Sequence, residues 1–221
     1  MKEQPTNQKV RTIRVEPQPL LVRLCQHGIF LLVLFILIFS PLAFGAVRPW
    51  AQGPILLAVG LATLLWIIRL LAVREVPAVF SSLGAPVLVL GTYVIVRYGL
   101  SEVEPVARQE ALLGLGLVLF FFLVLNHVHH RWHITVLMWV WTALGAGLAL
   151  YGISQVVAGG EWVWAYPQYD PYIGRASGTF IRPAYFAGYL QLMFPLAAAN
   201  FLFSRRSFKE KIVLAFVCLV M

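Results

Sequence analysis

Long apolar stretches recur along this chain, and each approaches the length of helix that crosses a lipid bilayer. A helix needs about 20 apolar residues to cross roughly 30 Å of hydrocarbon. The stretches are residues 24–46, 54–73, 83–98, 111–125, 134–157 and 183–203. With 60% hydrophobic and 12% charged residues, the composition lies outside the range of soluble globular domains. The sequence therefore predicts an all-α, polytopic integral membrane helix bundle with about six complete transmembrane helices.

The two ends of the chain differ from this pattern. A seventh apolar stretch begins near Ile212 and stops at Met221. Because it is shorter than a membrane-spanning helix, we expect a chain truncated at its C-terminus, with residues 24–221 forming the transmembrane domain. Residues 1–23 mix Gln, Pro, Lys, Arg and Glu with few apolar residues. This predicts a disordered basic tail at the cytoplasmic surface, and a polar tail of this kind argues against a signal peptide.

The distribution of Lys and Arg predicts the orientation, because short basic loops are poorly translocated. With the N-terminus in the cytoplasm, twelve of the seventeen Lys and Arg residues fall on the cytoplasmic side. Those left outside are Arg48, Arg97, Arg108, Arg175 and Arg182. The net charge of +8 is then explained by topology and anionic lipid head groups, so no nucleic-acid partner is expected. Residues 158–182 form a periplasmic loop if the chain lies in a bacterial inner membrane.

Metal and cofactor chemistry is not expected. The His-rich connection at residues 126–133 is predicted on the cytoplasmic side, without a Cys or carboxylate to complete a ligand set. Cys25 and Cys218 lie at predicted cytoplasmic ends of apolar stretches, where they are expected to be small apolar fillers rather than a disulfide. The sequence also contains no Walker loop, dinucleotide fingerprint, zinc-protease motif or serine-hydrolase motif.

The periplasmic loop carries an aromatic segment. Its aromatic residues are Trp162, Trp164, Tyr166, Tyr169 and Tyr172. Aromatic faces stack on sugar rings and a carboxylate such as Asp170 accepts hydrogen bonds from hydroxyls, although Trp and Tyr also anchor proteins at membrane interfaces. Pro167 and Pro171 favour a shaped loop. The five aromatic residues and Asp170 are therefore candidates for substrate binding.

Two arginines end this loop, just before a helix predicted to begin at Pro183. Arg175 and Arg182 each offer a planar fork of N–H donors that matches phosphate oxygens. The positive end of the helix dipole would add to the attraction, and Ser177 and Thr179 could donate further hydrogen bonds. The alternative is that both arginines only reach toward lipid phosphates. The pattern favours binding of an anion, in particular a diphosphate.

The same segment resembles a known family. The chain reads Arg-Ala-Ser-Gly-Thr-Phe from Arg175 to Phe180, then Pro183, then Phe-Ala-Gly-Tyr-Leu from Phe186, then Pro195. This resembles the O-antigen ligase and O-antigen polymerase superfamily, whose motif has the form R-x-S-G-T-F-x-N-P-N-x-F-A-x-x-L. The Pro-Leu-Ala-Phe-Gly run at residues 41–45, with the Trp at position 50, also looks like the first hairpin of that family.

The chain departs from the motif at two positions. It has Arg182 and Ala184 where Asn is usual, which puts amide contacts at those positions in doubt. Members of the family also use a periplasmic His as the base, in a large loop farther along. All five His residues here are predicted on the cytoplasmic side, so the fragment alone is expected to be inactive.

The resemblance implies a metal-independent glycosyltransferase that needs no cofactor. It would move a glycan from undecaprenyl diphosphate to an acceptor hydroxyl, on lipid A core or on a growing polysaccharide. Arg175, which matches the motif, would be the catalytic residue that stabilises the leaving diphosphate. Arg182, Ser177, Thr179 and the aromatic segment would then bind substrate.

A transporter or flippase for a lipid-linked glycan or an anionic solute is the main alternative. It could use the same arginines to bind and release its cargo without breaking a bond. Transporters commonly carry broken helices and ionisable groups at mid-membrane, whereas the apolar stretches here contain almost none. The pattern therefore favours chemistry at the membrane surface. A purely structural membrane protein is a third class, and it would tolerate the loss of Arg175.

The predicted orientation is tested by fusing alkaline phosphatase, which is active only in the periplasm, at two positions. A fusion after Gly159 should be active, because the distribution of Lys and Arg places that loop outside. A fusion after His129 should be inactive. Blotting controls for the amount of each fusion, and the reverse pattern of activity would contradict the orientation.

Overall fold

The structure, a computed structural model, describes residues 20–72, 81–159, 161–164 and 166–203. The helices in these ranges are α1 (Leu20–Leu42), α2 (Pro49–Ala72), α3 (Gly84–Gly99), α4 (Glu104–His127), α5 (Arg131–Val157) and α6 (Pro183–Phe203). Short 3-10 turns lie at Phe44–Ala46 and Asp170–Tyr172. A two-residue antiparallel pair, β1 (Trp162–Val163) and β2 (Tyr166–Pro167), lies between α5 and α6. The predicted all-α class is confirmed.

Several of these helices have the length and apolar composition of membrane spans. Within the described ranges, α1, α2, α4 and α5 are long and apolar enough to cross a bilayer, and α3 is apolar but shorter. The mean hydropathy of the four long helices runs from 1.7 to 2.4. The chain is therefore a helical membrane protein, and its exact number of spans stays a prediction. The predicted seventh stretch and Cys218 lie outside the described residues.

Two helix starts differ from the sequence prediction. α1 begins at Leu20, so the predicted tail is wrong over residues 20–23, because apolar residues extend the helix by a turn. The rest of that tail lies outside the described residues. α4 begins at Glu104 rather than at residue 111. Pro105 suits the first turn of a helix, and the Glu104 carboxylate interacts favourably with the positive end of the helix dipole.

The core of the bundle is formed by α1, α2 and α4. α1 and α2 share the most extensive contact, and α2 also packs against α4. Ala62 of α2 packs with Ile29 and Val33 of α1 and with Leu123 of α4, and all four have 0% exposure. Small residues let the helices approach closely, and close packing is what holds helices together in lipid. α3 packs against α4, and α5 packs against α6.

Residues 158–182, between α5 and α6, are here called the outer loop after their predicted orientation. At the other end of α5, histidines contact aromatic side chains and helix ends. The His133 ring stacks on Phe30 with 4.2 Å between centroids, and His127 is buried edge-on to Trp66. His130 caps α5, because its ring accepts a hydrogen bond from the Trp132 N–H. In the described part of the chain, no group of three His, Cys, Asp or Glu is placed to hold a metal ion. His133 therefore links α5 to α1, His127 links α4 to α2, and His130 caps the start of α5.

Leu123→Ala should lower the free energy of unfolding by about 2 kcal/mol or more. The substitution opens a cavity in the core, and the lost van der Waals contacts are not replaced. The matched control is Leu117→Ala on the same helix, where the side chain is 68% exposed and a change below about 0.5 kcal/mol is expected. Unfolding of the detergent-solubilised protein, followed by Trp fluorescence, measures both. Equal losses would show that the core does not lie at Leu123.

Candidate functional site

One buried amide joins the two ends of the outer loop. Gln155 lies near the end of α5 and is 6% exposed. Its Nε2 donates to the carbonyl oxygens of Trp162 and Gly178, each at 3.0 Å. Its Oε1 accepts a hydrogen bond from the Ser177 N–H at 3.3 Å. A single side chain therefore holds the start and the end of the loop against α5.

Two further hydrogen bonds join the loop to the end of α1. The Thr179 hydroxyl donates to the carbonyl oxygen of Pro41 at 2.6 Å. The indole Nε1 of Trp164 donates to the carbonyl oxygen of Leu42 at 3.2 Å. These carbonyls belong to the last turn of α1, where backbone acceptors have no partner within the helix. The outer loop thus satisfies the end of a helix that is distant in sequence.

Glycines make room for two phenylalanine rings at this junction. A Cβ added at Gly45, whose φ is +68°, would lie 2.7 Å from the Phe180 ring. A Cβ at Gly152 or Gly178 would lie 2.8 Å or 2.6 Å from the Phe186 ring. Both phenylalanines are buried. At these three glycines there is no room for a side chain, because the two rings pack directly against the backbone.

Ser177 and Thr179, predicted as ligand donors, lie inside the base of the loop. They are 0% and 1% exposed. Ser177 Oγ accepts from Gln168 Nε2 at 3.3 Å, while the Thr179 hydroxyl is bonded to Pro41. In this arrangement neither hydroxyl faces solvent. Both residues therefore support the loop rather than offering donors at its surface.

Arg175 and Arg182 both lie exposed at the end of the loop. The Arg175 N–H donates to the Tyr172 carbonyl at 3.1 Å, and its own carbonyl accepts from Gln168 Nε2 at 3.2 Å. The backbone of Arg175 is thus fixed, while its guanidinium has no ion-pair or hydrogen-bond partner among the described residues. Arg182 precedes the first residue of α6, and its guanidinium lies over the Tyr185 ring at 5.8 Å.

The predicted aromatic segment remains largely at the surface. Trp162, Trp164, Tyr166 and Tyr169 are each more than half exposed, whereas Tyr172 is half-buried. Trp164 is held in place because its backbone N–H donates to the Tyr151 hydroxyl at 2.9 Å, in addition to its bond to α1. Asp170 is exposed at the start of the second 3-10 turn. The structure therefore brings exposed aromatic faces, a carboxylate and two guanidinium groups together on one loop.

Arg48 belongs to the same surface, although sequence reasoning assigned it no role in the site. Its guanidinium carbon lies 5.5 Å from the ring centroids of both Phe44 and Tyr166. A cavity of about 450 Å³, here called the loop cavity, lies beside these groups. Its lining residues are Phe44, Arg48, Val163, Tyr166, Pro167, Gln168, Tyr169, Asp170 and Ile181. Its two walls come from segments more than a hundred residues apart, so no local sequence pattern could reveal the pairing.

A second cavity, of about 740 Å³, extends from the outer turn between α1 and α2 into the helix bundle. Pro41, Ala46 and Gln52 line it near that turn. Farther in, the lining includes Phe120 of α4 and Leu192 of α6, and it is almost entirely apolar. This apolar cavity has the lining expected of a site for a hydrocarbon chain.

No protein-family model, curated protein or solved structure matches this chain. The fold by itself defines the class: the chain is a helical membrane protein with a structured loop between α5 and α6. Any assignment of activity depends on the residues of that loop.

Gly45→Ala should destabilise the protein by about 1–2 kcal/mol, because a side chain is strained at this positive φ and would displace Phe180. The matched control is Gly53→Ala in α2, where a Cβ meets no atom within 4 Å. Because Ala is the better helix former, the control should be neutral or stabilising. Thermal unfolding in detergent compares the two variants. A stable Gly45→Ala protein would contradict the close packing of Phe180 on this turn.

Proposed function

We propose that the protein is a membrane glycosyltransferase of the O-antigen ligase and polymerase type. It transfers a glycan from undecaprenyl diphosphate to an acceptor hydroxyl at the periplasmic face of a bacterial inner membrane. The observation that carries the proposal is the exposed guanidinium of Arg175 on a fixed backbone. A donor fork held in this way can meet a diphosphate with little loss of backbone entropy on binding.

The packing of the motif residues supports the resemblance to that family. Ser177, Gly178, Thr179 and Phe180 are all buried at the junction of the loop with α1 and α5. They have structural reasons to be serine, glycine, threonine and phenylalanine in that order. Arg175, the first residue of the motif, is exposed instead. The segment thus combines a buried scaffold with an exposed cation.

Charge explains how this site would promote transfer. The acceptor hydroxyl attacks the anomeric carbon and gives its proton to a base. The bond from that carbon to the diphosphate oxygen breaks, and the diphosphate leaves with the electron pair. Arg175 stabilises the negative charge that develops on the leaving group, with Arg182 and the first turn of α6 adding positive potential. No metal or nucleotide enters this step.

The apolar cavity supports a lipid-linked donor. It reaches the outer turn at Pro41, whose carbonyl accepts the Thr179 hydroxyl at the base of the loop. It also reaches Tyr189 of α6, on the helix whose first turn follows Arg182. An isoprenoid chain in this cavity would place its diphosphate at the outer end, next to the base of the loop that carries both arginines.

Arg175→Ala in the full-length protein should lower glycan transfer by about a hundredfold or more, because a donor to the developing charge is lost. Arg175→Lys should also be strongly impaired, since a lysine keeps the charge but lacks the bidentate fork. The surface glycan profile and the pool of lipid-linked glycan are measured in a host that depends on this protein. Lipid-linked glycan should accumulate in both variants.

The matched control is Arg108→Ala, which removes an exposed arginine that pairs only loosely with Glu104, at 4.0 Å. Its glycan profile should stay normal, and blotting shows whether each variant reaches the membrane in equal amount. A normal profile with Arg175→Ala would reject the proposed transfer and favour a transporter or a structural protein.

A further inference from the structure

Gln168 carries a buried hydrogen-bond acceptor that lacks a partner. The side chain is 5% exposed, and its Nε2 donates to the Arg175 carbonyl and to Ser177 Oγ. Because a carbonyl oxygen only accepts, the bond to Arg175 fixes which end of the amide is nitrogen. Gln168 Oε1 is then buried without a hydrogen-bond partner in the described part of the chain, and it is closed off from solvent. Gln168 also lines the loop cavity, so its fixed side chain forms part of the cavity wall next to the backbone of Arg175.

Arg48 supplies fixed donors to the same cavity. The rings of Phe44 and Tyr166 hold its guanidinium by cation–π contacts, each at 5.5 Å. No carboxylate pairs with Arg48 among the described residues. Its N–H groups therefore remain able to donate to a ligand in the loop cavity.

The remaining polar group of the cavity decides the chemistry of its occupant. Asp170 adds a carboxylate that forms no ion pair within the described ranges. The cavity thus presents an acceptor, the Asp170 carboxylate, as well as the donors of Arg48. A phosphate or another anion would satisfy Arg48 but would face this carboxylate without a hydrogen atom to give. A neutral molecule with several hydroxyls can both donate and accept, so it fits both side chains.

The shape of the cavity selects a ring among such molecules. Tyr166 and Tyr169 line it with more than half of each side chain exposed, and aromatic faces stack on the C–H faces of sugars. Its volume of about 450 Å³ lies in the range of small-molecule sites. We propose that the loop cavity binds one neutral pyranose unit, and that Arg48 and Asp170 determine which sugar is accepted.

The position of this sugar site relative to Arg175 identifies which sugar it holds, an assignment that rests on the proposed function. Gln168 lines the loop cavity and holds the carbonyl of Arg175 through Nε2. Ile181, on another wall of the cavity, directly precedes Arg182. The pyranose therefore lies beside the diphosphate site, as the sugar attached to the diphosphate of the donor would. Gln168 is a positioning residue that links the two sites.

Saturation-transfer difference NMR on the full chain in lipid nanodiscs tests the sugar site. The probes are the methyl glycosides of glucose, galactose and N-acetylglucosamine, with glucuronate as the charged comparison. We expect at least one neutral glycoside to bind the native protein. Binding should be about tenfold weaker in Arg48→Met and in Asp170→Asn, because each loses a charged hydrogen-bonding group. Arg108→Met, a change of the same kind outside the cavity, should bind like the native protein.

Three results would overturn the proposal. They are binding of no neutral glycoside, equal binding by all variants, and a preference for glucuronate that disappears in Arg48→Met. The isosteric Asp170→Asn keeps the test valid if Arg48→Met fails to fold, which gel filtration detects.

Arg175→Ala separates this proposal from the proposed function. If Arg175→Ala leaves transfer normal while the neutral sugar still depends on Arg48 and Asp170, the sugar site stands and the transferase falls. If transfer is lost in Arg175→Ala but no neutral sugar binds the native protein, the transferase stands and the sugar site falls.

Discussion

The buried amide of Gln155 joins the two ends of the outer loop and holds them against α5, and the loop that carries the exposed aromatic and charged side chains depends on that contact. The amide is buried near the end of an apolar helix, where water cannot replace its partners. Its hydrogen bonds to Trp162, Ser177 and Gly178 are therefore difficult to exchange for others. The described part of the loop contains little regular secondary structure. The Gln155 amide and the hydrogen bonds to α1 therefore fix its backbone, as ladder hydrogen bonds fix a sheet.

The same contacts separate scaffold residues from residues that can meet a substrate. Residues 177–180 turn inward because each finds a partner there. The Ser177 hydroxyl accepts from Gln168, the Thr179 hydroxyl donates to Pro41 of α1, and the Phe180 ring packs on the turn after α1. Arg175 and Asp170 lie nearby in sequence, but in the described part of the chain their charged groups form no ion pair, and both residues are exposed. A charged group is costly to bury without a partner, which gives the physical reason for this division.

Gln168 then couples two parts of the surface. Its amide nitrogen fixes the backbone that carries Arg175, and the same residue lines the loop cavity. A sugar bound against Gln168 would limit the movement of this side chain and so stabilise the conformation that presents Arg175. Recognition of the sugar and stabilisation of the leaving diphosphate would in this way depend on one another.

The sequence by itself determined the helical membrane class, the start of α6 at Pro183 and the exposed aromatic and arginine residues of the loop. These features depend on local composition, on helix length and on the fixed φ of proline, all of which can be read along the chain. The early starts of α1 and α4 were missed, because apolar content says little about how far a helix extends into polar flanks.

Only the tertiary structure decided that Ser177 and Thr179 are buried, that Gln155 and Gln168 organise the loop, and that Arg48 lies against Tyr166. The contacts of Gln155 with Gly178, of Thr179 with Pro41 and of Arg48 with Tyr166 join segments that are distant in sequence, and those of Gln168 depend on how the loop itself folds. No sequence pattern indicates whether a glutamine or a hydroxyl will bond to water, to backbone or to a ligand. Tertiary packing determines the partner.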